Sequence, residues 1–291
     1  MATNHRGPTL ACRDSLTAID CRDCGFSHLW PRPEIEPDFY ESEFWQHYKS
    51  GAREIAEGQR DWLDMRHDDW LFTLVGNTLG NALLDIGCGY GDLLYAAKEH
   101  GLLAYGIEPS REAVNYCDQR GLKILSDTWE SYSFPIEKWN MITAFWLLEH
   151  LPDPLAFLRW CHTHLYRGGA LMLAVPNELS VEQAAANLVA AKQYWWLDKT
   201  HYSYFTPASL GNLLGRAGFK IVDSLATAQM ENYILDGQDY TDNSAVGLAC
   251  HAQVRARELA QTRDERLAEA RHLALQGRGR DRVVVCVKDS A

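Results

Sequence analysis

Leu84-Asp85-Ile86-Gly87-Cys88-Gly89-Tyr90-Gly91 closes an apolar run and sets glycines at positions 87, 89 and 91 just ahead of a helix-like stretch that begins at Asp92. After a strand, a ligand approaches the backbone closely only where side chains are absent, and alternate glycines supply that clearance at a helix N-terminus. Glu108 ends the next apolar run about twenty residues beyond the loop, where a carboxylate accepts hydrogen bonds from both hydroxyls of a ribose. A dinucleotide-binding loop would read Gly-x-Gly-x-x-Gly, but position 92 is Asp, and Asp85 adds a second carboxylate at the strand end. Those negative charges suit a ligand with an amino group and a positive sulfur better than a diphosphate.

Working outward, Ala82 to Ile86, Leu103 to Ile107, Lys123 to Leu125, Met141 to Leu148 and Ala170 to Val175 are short apolar runs. Between them Asp92 to His100, Ser110 to Arg120 and Pro154 to Leu165 have helical spacing, and Phe219 to Val222 and Arg282 to Lys288 add two later strands. Strands this short, alternating with helices, predict an α/β fold of Rossmann-like type: a mostly parallel sheet with helices on both faces. The chain divides into a Cys-containing N-terminal appendage (1–35), an aromatic-rich helical cap (36–78) and a core (79–291). Within that core, a cap insertion is expected at about 177–205 and a helical insertion at about 227–278.

The chain of 291 residues is 46% hydrophobic, enough to bury a full core, and its formal net charge of -11 opposes a polyanionic partner. Nucleic acid is therefore not expected. No run approaches the roughly 18 apolar residues of a membrane span, and the N-terminus lacks an apolar signal core, so no membrane contact and a cytoplasmic location are expected. Residues 245–276 alternate Leu248, Ala252, Ala256, Leu259, Leu267, Ala270 and Ala274 with charges at nearly helical period, which predicts a lid or an oligomer contact, the latter a homodimer.

Beyond the loop, Glu149-His150-Leu151-Pro152-Asp153-Pro154, Arg167-Gly168-Gly169-Ala170, Val175-Pro176-Asn177, His201-Tyr202-Ser203-Tyr204-Phe205-Thr206-Pro207 and Ala217-Gly218-Phe219 carry a family resemblance. Together with the loop they resemble the class I S-adenosylmethionine-dependent methyltransferases, in the subgroup of the ubiquinone-type O-methyltransferases and related biosynthetic enzymes. The resemblance covers about residues 80 to 225. It implies a seven-stranded sheet whose last strand is antiparallel, with S-adenosylmethionine across the carboxyl ends of the first strands. By the same analogy Asp85, Gly87 and Gly89 cradle the methionine portion, Glu108 holds the ribose, Asp127 lies near the adenine with Trp129 stacked beside that ring, and Cys88, Pro109 and Thr128 are further cofactor-binding residues. An ordinary packing role for Asp127 and Trp129 stands beside that reading.

Two departures from the subgroup matter. Trp146 stands where the related enzymes have a Glu three residues before the Glu-His pair, so a metal at Glu149 and His150 is not expected; Trp139-Asn140 replaces the common Phe-Asp. Methyl transfer needs alignment of an electron-rich atom and exclusion of water, and a general base only when that atom starts protonated. His201, among the aromatics of the cap, is the first candidate base and His150 the second, each with a turn-capping role as its alternative. Tyr40, Trp45, Trp146, Trp195, Trp196 and Tyr202 are the candidate walls of a small-molecule substrate pocket, with core packing as the alternative.

The function expected is methyl transfer to a small-molecule acceptor, with a hydroxyl oxygen ahead of carbon or nitrogen. A protein of this fold that binds the cofactor without methylating is the rival. In the appendage, Cys21-x-x-Cys24 followed by Gly25-Phe26 resembles half a zinc knuckle. Zinc usually takes four protein ligands, and the upstream half ends in Ser15, which leaves Cys12, Cys21, Cys24 and His5 or His28. A degenerate, metal-free hairpin is the favoured reading and bound zinc the alternative. The other cysteines, Cys88, Cys161 and Cys286 among them, sit in apolar surroundings that suit reduced thiols.

Overall fold

The computed structural model describes residues 5–36, 39–43, 58–191, 196–241 and 243–288; Trp45 and Trp195 lie outside them. Near the N-terminus, β1 (Thr9–Arg13), β2 (Leu16–Cys21) and β3 (Phe26–Leu29) form an antiparallel meander. A wide helical turn at Phe39–Glu43 and α1 (Arg60–Val75) follow. The core then alternates β4 (Ala82–Ile86), α2 (Asp92–Glu99), β5 (Leu103–Ile107), α3 (Arg111–Gln119), β6 (Lys123–Leu125), β7 (Trp139–Phe145), α4 (Pro154–His164) and β8 (Leu165–Pro176). It continues through α5 (Val181–Val189), β9 (Ser203–Tyr204), α6 (Pro207–Arg216), β10 (Phe219–Ala226), α7 (Glu231–Leu235), α8 (Ser244–Leu259), α9 (Arg263–Leu275) and β11 (Asp281–Lys288).

Side-chain caps start several of these helices, because each helix begins with unpaired backbone N–H groups. Ser110 accepts from Ala113 N, Asp153 from Ala156 N and Ser180 from Gln183 N, while Thr206 with Ser209 and Thr262 with Glu265 form reciprocal capping boxes.

Seven strands form the main sheet in the order β10-β11-β8-β7-β4-β5-β6. Pairs from β8 to β6 are parallel, and β11 alone runs against both its neighbours. Both faces are covered, which is why β7 and β8 read as continuous apolar runs rather than alternating ones. Leu84, Ile142 and Leu171 face one core with Phe157 and Leu213; Leu83, Met141 and Met172 face the other with Leu94 and Leu267. The chain runs outward from β4 through β5 to β6 and then returns to β7, so the strand order reverses between β4 and β7, where sheets of this type open a ligand crevice at their carboxyl ends.

The appendage does not stand apart. β9, from the segment between α5 and α6, pairs with β3 in the register Ser27↔Tyr204 and His28↔Ser203, completing a second sheet of order β1-β2-β3-β9. The helical insertion also differs from expectation. α9 lays Leu267 into the core over the main sheet with Ala270 packed against it, and Arg263 and Arg266 bind the buried Asp69 of α1 at 3.0 and 2.7 Å. Leu267 of α9 is therefore packed within the chain, whereas Leu248 and Leu259 of α8 and Leu275 of α9 are exposed. Among the described residues no helix is long and apolar enough to cross a membrane.

Candidate functional site

At the carboxyl end of β4, Gly87, Gly89 and Gly91 all have positive φ (71°, 53° and 71°), a conformation in which a Cβ would be strained. At Gly91, the N-cap of α2, a Cβ would also stand 2.5 Å from Leu122 Cδ1 and 2.9 Å from Cys117 Sγ. The loop is held by Gly87 N and Cys88 N, which donate to the carbonyl of Ile107 at 2.8 and 3.2 Å. Cys88 lies over Gly106 of β5, where a Cβ would meet its Sγ at 2.6 Å. Glu108 is buried and accepts from Gly89 N and Ser110 N, both at 2.9 Å, which turns the carboxylate toward the loop. Half-buried Pro109 follows it.

Asp85 is also buried and accepts from Thr143 Oγ1 at 2.7 Å. Burial pushes its carboxyl up to about 7; the Thr143 hydrogen bond opposes the shift and nearby Glu108 adds to it. A buried carboxylate of this kind is relieved by a cation, so bare backbone with two buried acids, Asp85 and Glu108, fits a ligand that carries positive charge and hydroxyls, as S-adenosylmethionine does. Asp92, in contrast, is spent on arginines: its Oδ1 lies 2.6 Å from Arg60 Nη1 and 2.9 Å from Arg120 Nη1. Its charge is neutralised within the fold, which removes it from the ligand-selection argument made from sequence. Asp127 and Thr128 are exposed, with Thr128 N donating to Asp127 Oδ1 at 2.7 Å, and Trp129 turns its ring onto Phe157 and Trp160 of α4 at 5.5 and 5.8 Å.

Across the switch point, the ends of β7 and β8 assemble a second group. Glu149, His150 and His201 each bring one donor atom within 4.8 Å of the others. Both oxygens of Glu149 are buried without a hydrogen-bond partner, and burial pushes this carboxyl up to about 8, against the pull of His201. His150 Nδ1 lies 2.8 Å from the Thr200 carbonyl, which can only accept, so Nδ1 carries the proton. His201 Nδ1 lies 2.7 Å from Glu178 Oε1. Burial alone would lower His201, but the charge and hydrogen bond of Glu178, with Glu149 and Asp198 behind it, push it up to about 9. Glu178 therefore favours the protonated form of His201, whereas the base expected from sequence acts as the neutral imidazole.

Glu178, just after Pro176-Asn177, was not among the residues singled out in the sequence, because nothing local marks it as the partner of a histidine 23 positions away. Trp146 has φ 51°, a strained value for a bulky residue, and is held by Trp146 N donating to Ala174 O at 2.8 Å and Nε1 donating to Asp281 Oδ1 at 3.1 Å. Tyr40 meets His150 edge-on at 5.9 Å. Two other proposed pocket walls are used elsewhere: Tyr202 is buried with its hydroxyl toward the Pro33 carbonyl, and Trp196 packs on Tyr204 at 4.8 Å in the second sheet.

In the appendage, Cys12 is exposed and its thiol lies 3.7 Å from Thr17 Oγ1. That corrects the metal-ligand set read from sequence: Cys21 and Cys24 are grouped with both His5 and His28 instead.

A glycine loop after the first strand of a sheet in this order, with a buried acid ending the second, is the architecture of the class I S-adenosylmethionine-dependent methyltransferases. Residues 59–224 match the family model described as a methyltransferase domain, and the chain belongs to that family, whose cofactor is S-adenosylmethionine. Ubiquinone biosynthesis O-methyltransferases from Cereibacter sphaeroides and Ruegeria pomeroyi are 31% and 32% identical over 153 residues, half of this chain. The chain spans 62% of the length of those relatives. In fold it is similar to a SAM-dependent methyltransferase from Archaeoglobus fulgidus (TM-score 0.53, 18% identity, 80% of this chain and 98% of that one). It is also similar to the magnesium protoporphyrin IX methyltransferase of Synechocystis with bound S-adenosylhomocysteine (TM-score 0.54, 16% identity, 87% and 97%).

Proposed function

We propose that the chain transfers the methyl group of S-adenosylmethionine to a hydroxyl oxygen of a small-molecule acceptor. The observation that carries this reading is the meeting of Glu149, His150 and His201 at the carboxyl end of the sheet, the same end as the glycine loop. The bound cofactor supplies a methyl already activated by positive sulfur. Asp85 and the loop backbone hold its amino-acid end and Glu108 its ribose, which leaves the chain to align the acceptor and keep water out.

A hydroxyl must lose its proton as it attacks, and a hydroxyl acceptor is what a histidine cluster serves. With Nδ1–H donating to Thr200, the lone pair of His150 is on Nε2, the form that accepts a proton. His201, charged through Glu178, stabilises the oxygen as negative charge develops on it. Tyr40 borders this acceptor side, edge-on to His150. The relatives named as O-methyltransferases support oxygen as the acceptor atom.

The test is calorimetry with S-adenosylmethionine and S-adenosylhomocysteine, followed by a methyl-transfer screen against phenols, hydroxylated metabolites and sugars. Binding of both cofactor forms and transfer to a hydroxylated compound are expected. Failure to bind either form overturns the reading, and transfer confined to amines or carbon acids overturns the choice of oxygen.

A further inference from the structure

The Cys-x-x-Cys hairpin has no part in the chemistry above, yet it gathers more than its two thiols. One donor atom from each of His5, Cys21, Cys24 and His28 lies within 4.8 Å of all the others. His5 Nδ1 is 3.3 Å from Cys24 Sγ and 3.6 Å from Cys21 Sγ. With Zn–S near 2.3 Å and Zn–N near 2.0–2.1 Å, the thiolate-to-imidazole edge of a zinc tetrahedron is roughly 3.6 Å. The observed separations match that edge before any ion is considered.

His28 supplies the second observation. It is fully buried, its Nδ1 lies 2.9 Å from the Leu29 carbonyl, and its Nε2 is buried with no hydrogen-bond partner. A carbonyl only accepts, so Nδ1 holds the proton and Nε2 presents a lone pair with nothing to receive it. This is the arrangement by which an outer hydrogen bond orients a metal-ligating imidazole. An orphaned buried nitrogen destabilises the fold, and a metal bond would remove that cost.

The local chain is shaped to bring the four together. Gly25 N donates to the Cys21 carbonyl at 2.9 Å, closing the turn that sets the two thiols side by side. The N-terminal segment is laid along β2 by Asp20 N donating to Pro8 O and Arg22 N to Arg6 O, both at 2.9 Å. Gly7 permits that approach, since a Cβ there would fall 1.9 Å from the Asp20 carbonyl oxygen. His5 thereby reaches the thiols from the far side of the hairpin.

We propose that His5 Nδ1, Cys21 Sγ, Cys24 Sγ and His28 Nε2 form a structural zinc site. Two thiolates and two imidazoles in a tetrahedron select zinc over hard cations such as magnesium, and two thiolate charges neutralise the dication. Four protein ligands leave no open coordination position, so the site holds structure and activates no water. What it holds is set by register: His28 faces Ser203 across β3 and β9, two residues from His201. The zinc therefore anchors the strand that directly follows the acceptor-side histidine.

Metal analysis of the purified full-length chain tests this independently of any methyl-transfer activity. One zinc per chain is expected, and exchange for cobalt(II) should give the visible absorption of a tetrahedral site with thiolate charge-transfer bands. Cys21→Ser and His28→Ala should each lower bound metal by roughly tenfold or more, whereas Cys12→Ser should keep one equivalent. Circular dichroism identifies any variant that fails to fold, and a competition titration of intact wild-type protein with a chromophoric chelator covers that case. The site is overturned by folded wild-type protein that takes up neither zinc nor cobalt, by a Cys21–Cys24 disulfide in its place, or by a folded Cys21→Ser variant that retains a full equivalent.

Discussion

His201 Nδ1 lies 2.7 Å from Glu178 Oε1, joining the segment before β9 to the end of β8 through a carboxylate whose side chain is only 10% exposed. The pair fixes both the orientation and the charge of the imidazole, as a buried acid does for a catalytic histidine. Burial raises Glu178 as well, and the charge of His201 opposes that rise.

The pair makes stability depend on pH. His201 is raised from 6.5 to about 9, so its contribution is complete below about pH 6.5 and is lost as pH climbs through about 9. Glu178→Gln should lower the melting temperature at pH 7, with a cost on the order of 3 kcal/mol for leaving a buried charge alone, and should flatten the decline between pH 6.5 and 9. An identical decline in the variant, followed by differential scanning calorimetry, would show that His201 is not held by Glu178.

Catalysis should respond in the same range. If His201 acts as a cation, turnover falls as pH rises through about 9, and His201→Ala removes that limb of the profile while leaving cofactor affinity unchanged. A rate that instead climbs through pH 9 would return His201 to the role of base.

Cofactor affinity should track a different group. Asp85 has been pushed up to about 7, so below that pH it is protonated and gives no charge to an ammonium. The dissociation constant for S-adenosylmethionine should rise by up to roughly tenfold per pH unit below 7. Asp85→Asn should bind weakly and without this slope; calorimetry at pH 6 and 8 separates the two.

Glu108→Ala should weaken S-adenosylmethionine by roughly tenfold to a hundredfold, since hydrogen bonds to a charged group contribute about 1.5–3 kcal/mol. It would also strip Gly89 N and Ser110 N of their acceptor. Glu108→Gln, which keeps one acceptor oxygen, should fall between wild type and alanine in the same titration. Equal affinities for all three would remove Glu108 from the ribose site.

Gly91→Ala should destabilise by roughly 2–4 kcal/mol, because the new Cβ meets Leu122 and Cys117 and φ 71° is strained for alanine. Urea denaturation reads this directly. A change under about 0.5 kcal/mol would mean that the loop shifts freely.

Much of the cofactor side was legible from local pattern. An apolar run, alternate glycines and a following acid are close together in the chain, and the backbone constraints they encode act within a few residues. Asp92 misled for the same reason: its charge is visible in sequence, but the arginines that neutralise it, Arg60 and Arg120, are 32 and 28 residues away. The zinc-like cluster was half legible. Cys21 and Cys24 share one turn, whereas His5 arrives through Gly7 and His28 through the next strand, and the local echo at Cys12 pointed to the wrong thiol.

The sequence by itself determined the alternation of strand and helix, the glycine loop and the acid at Glu108, because periodicity and backbone freedom are properties of neighbouring residues. Only the tertiary structure decided that β9 joins the N-terminal sheet, that Glu178 pairs with His201, and that Glu149 is buried without a hydrogen-bond partner. Those outcomes depend on which distant groups share a low-dielectric space, and desolvation and charge pairing are set by that enclosure rather than by position along the chain.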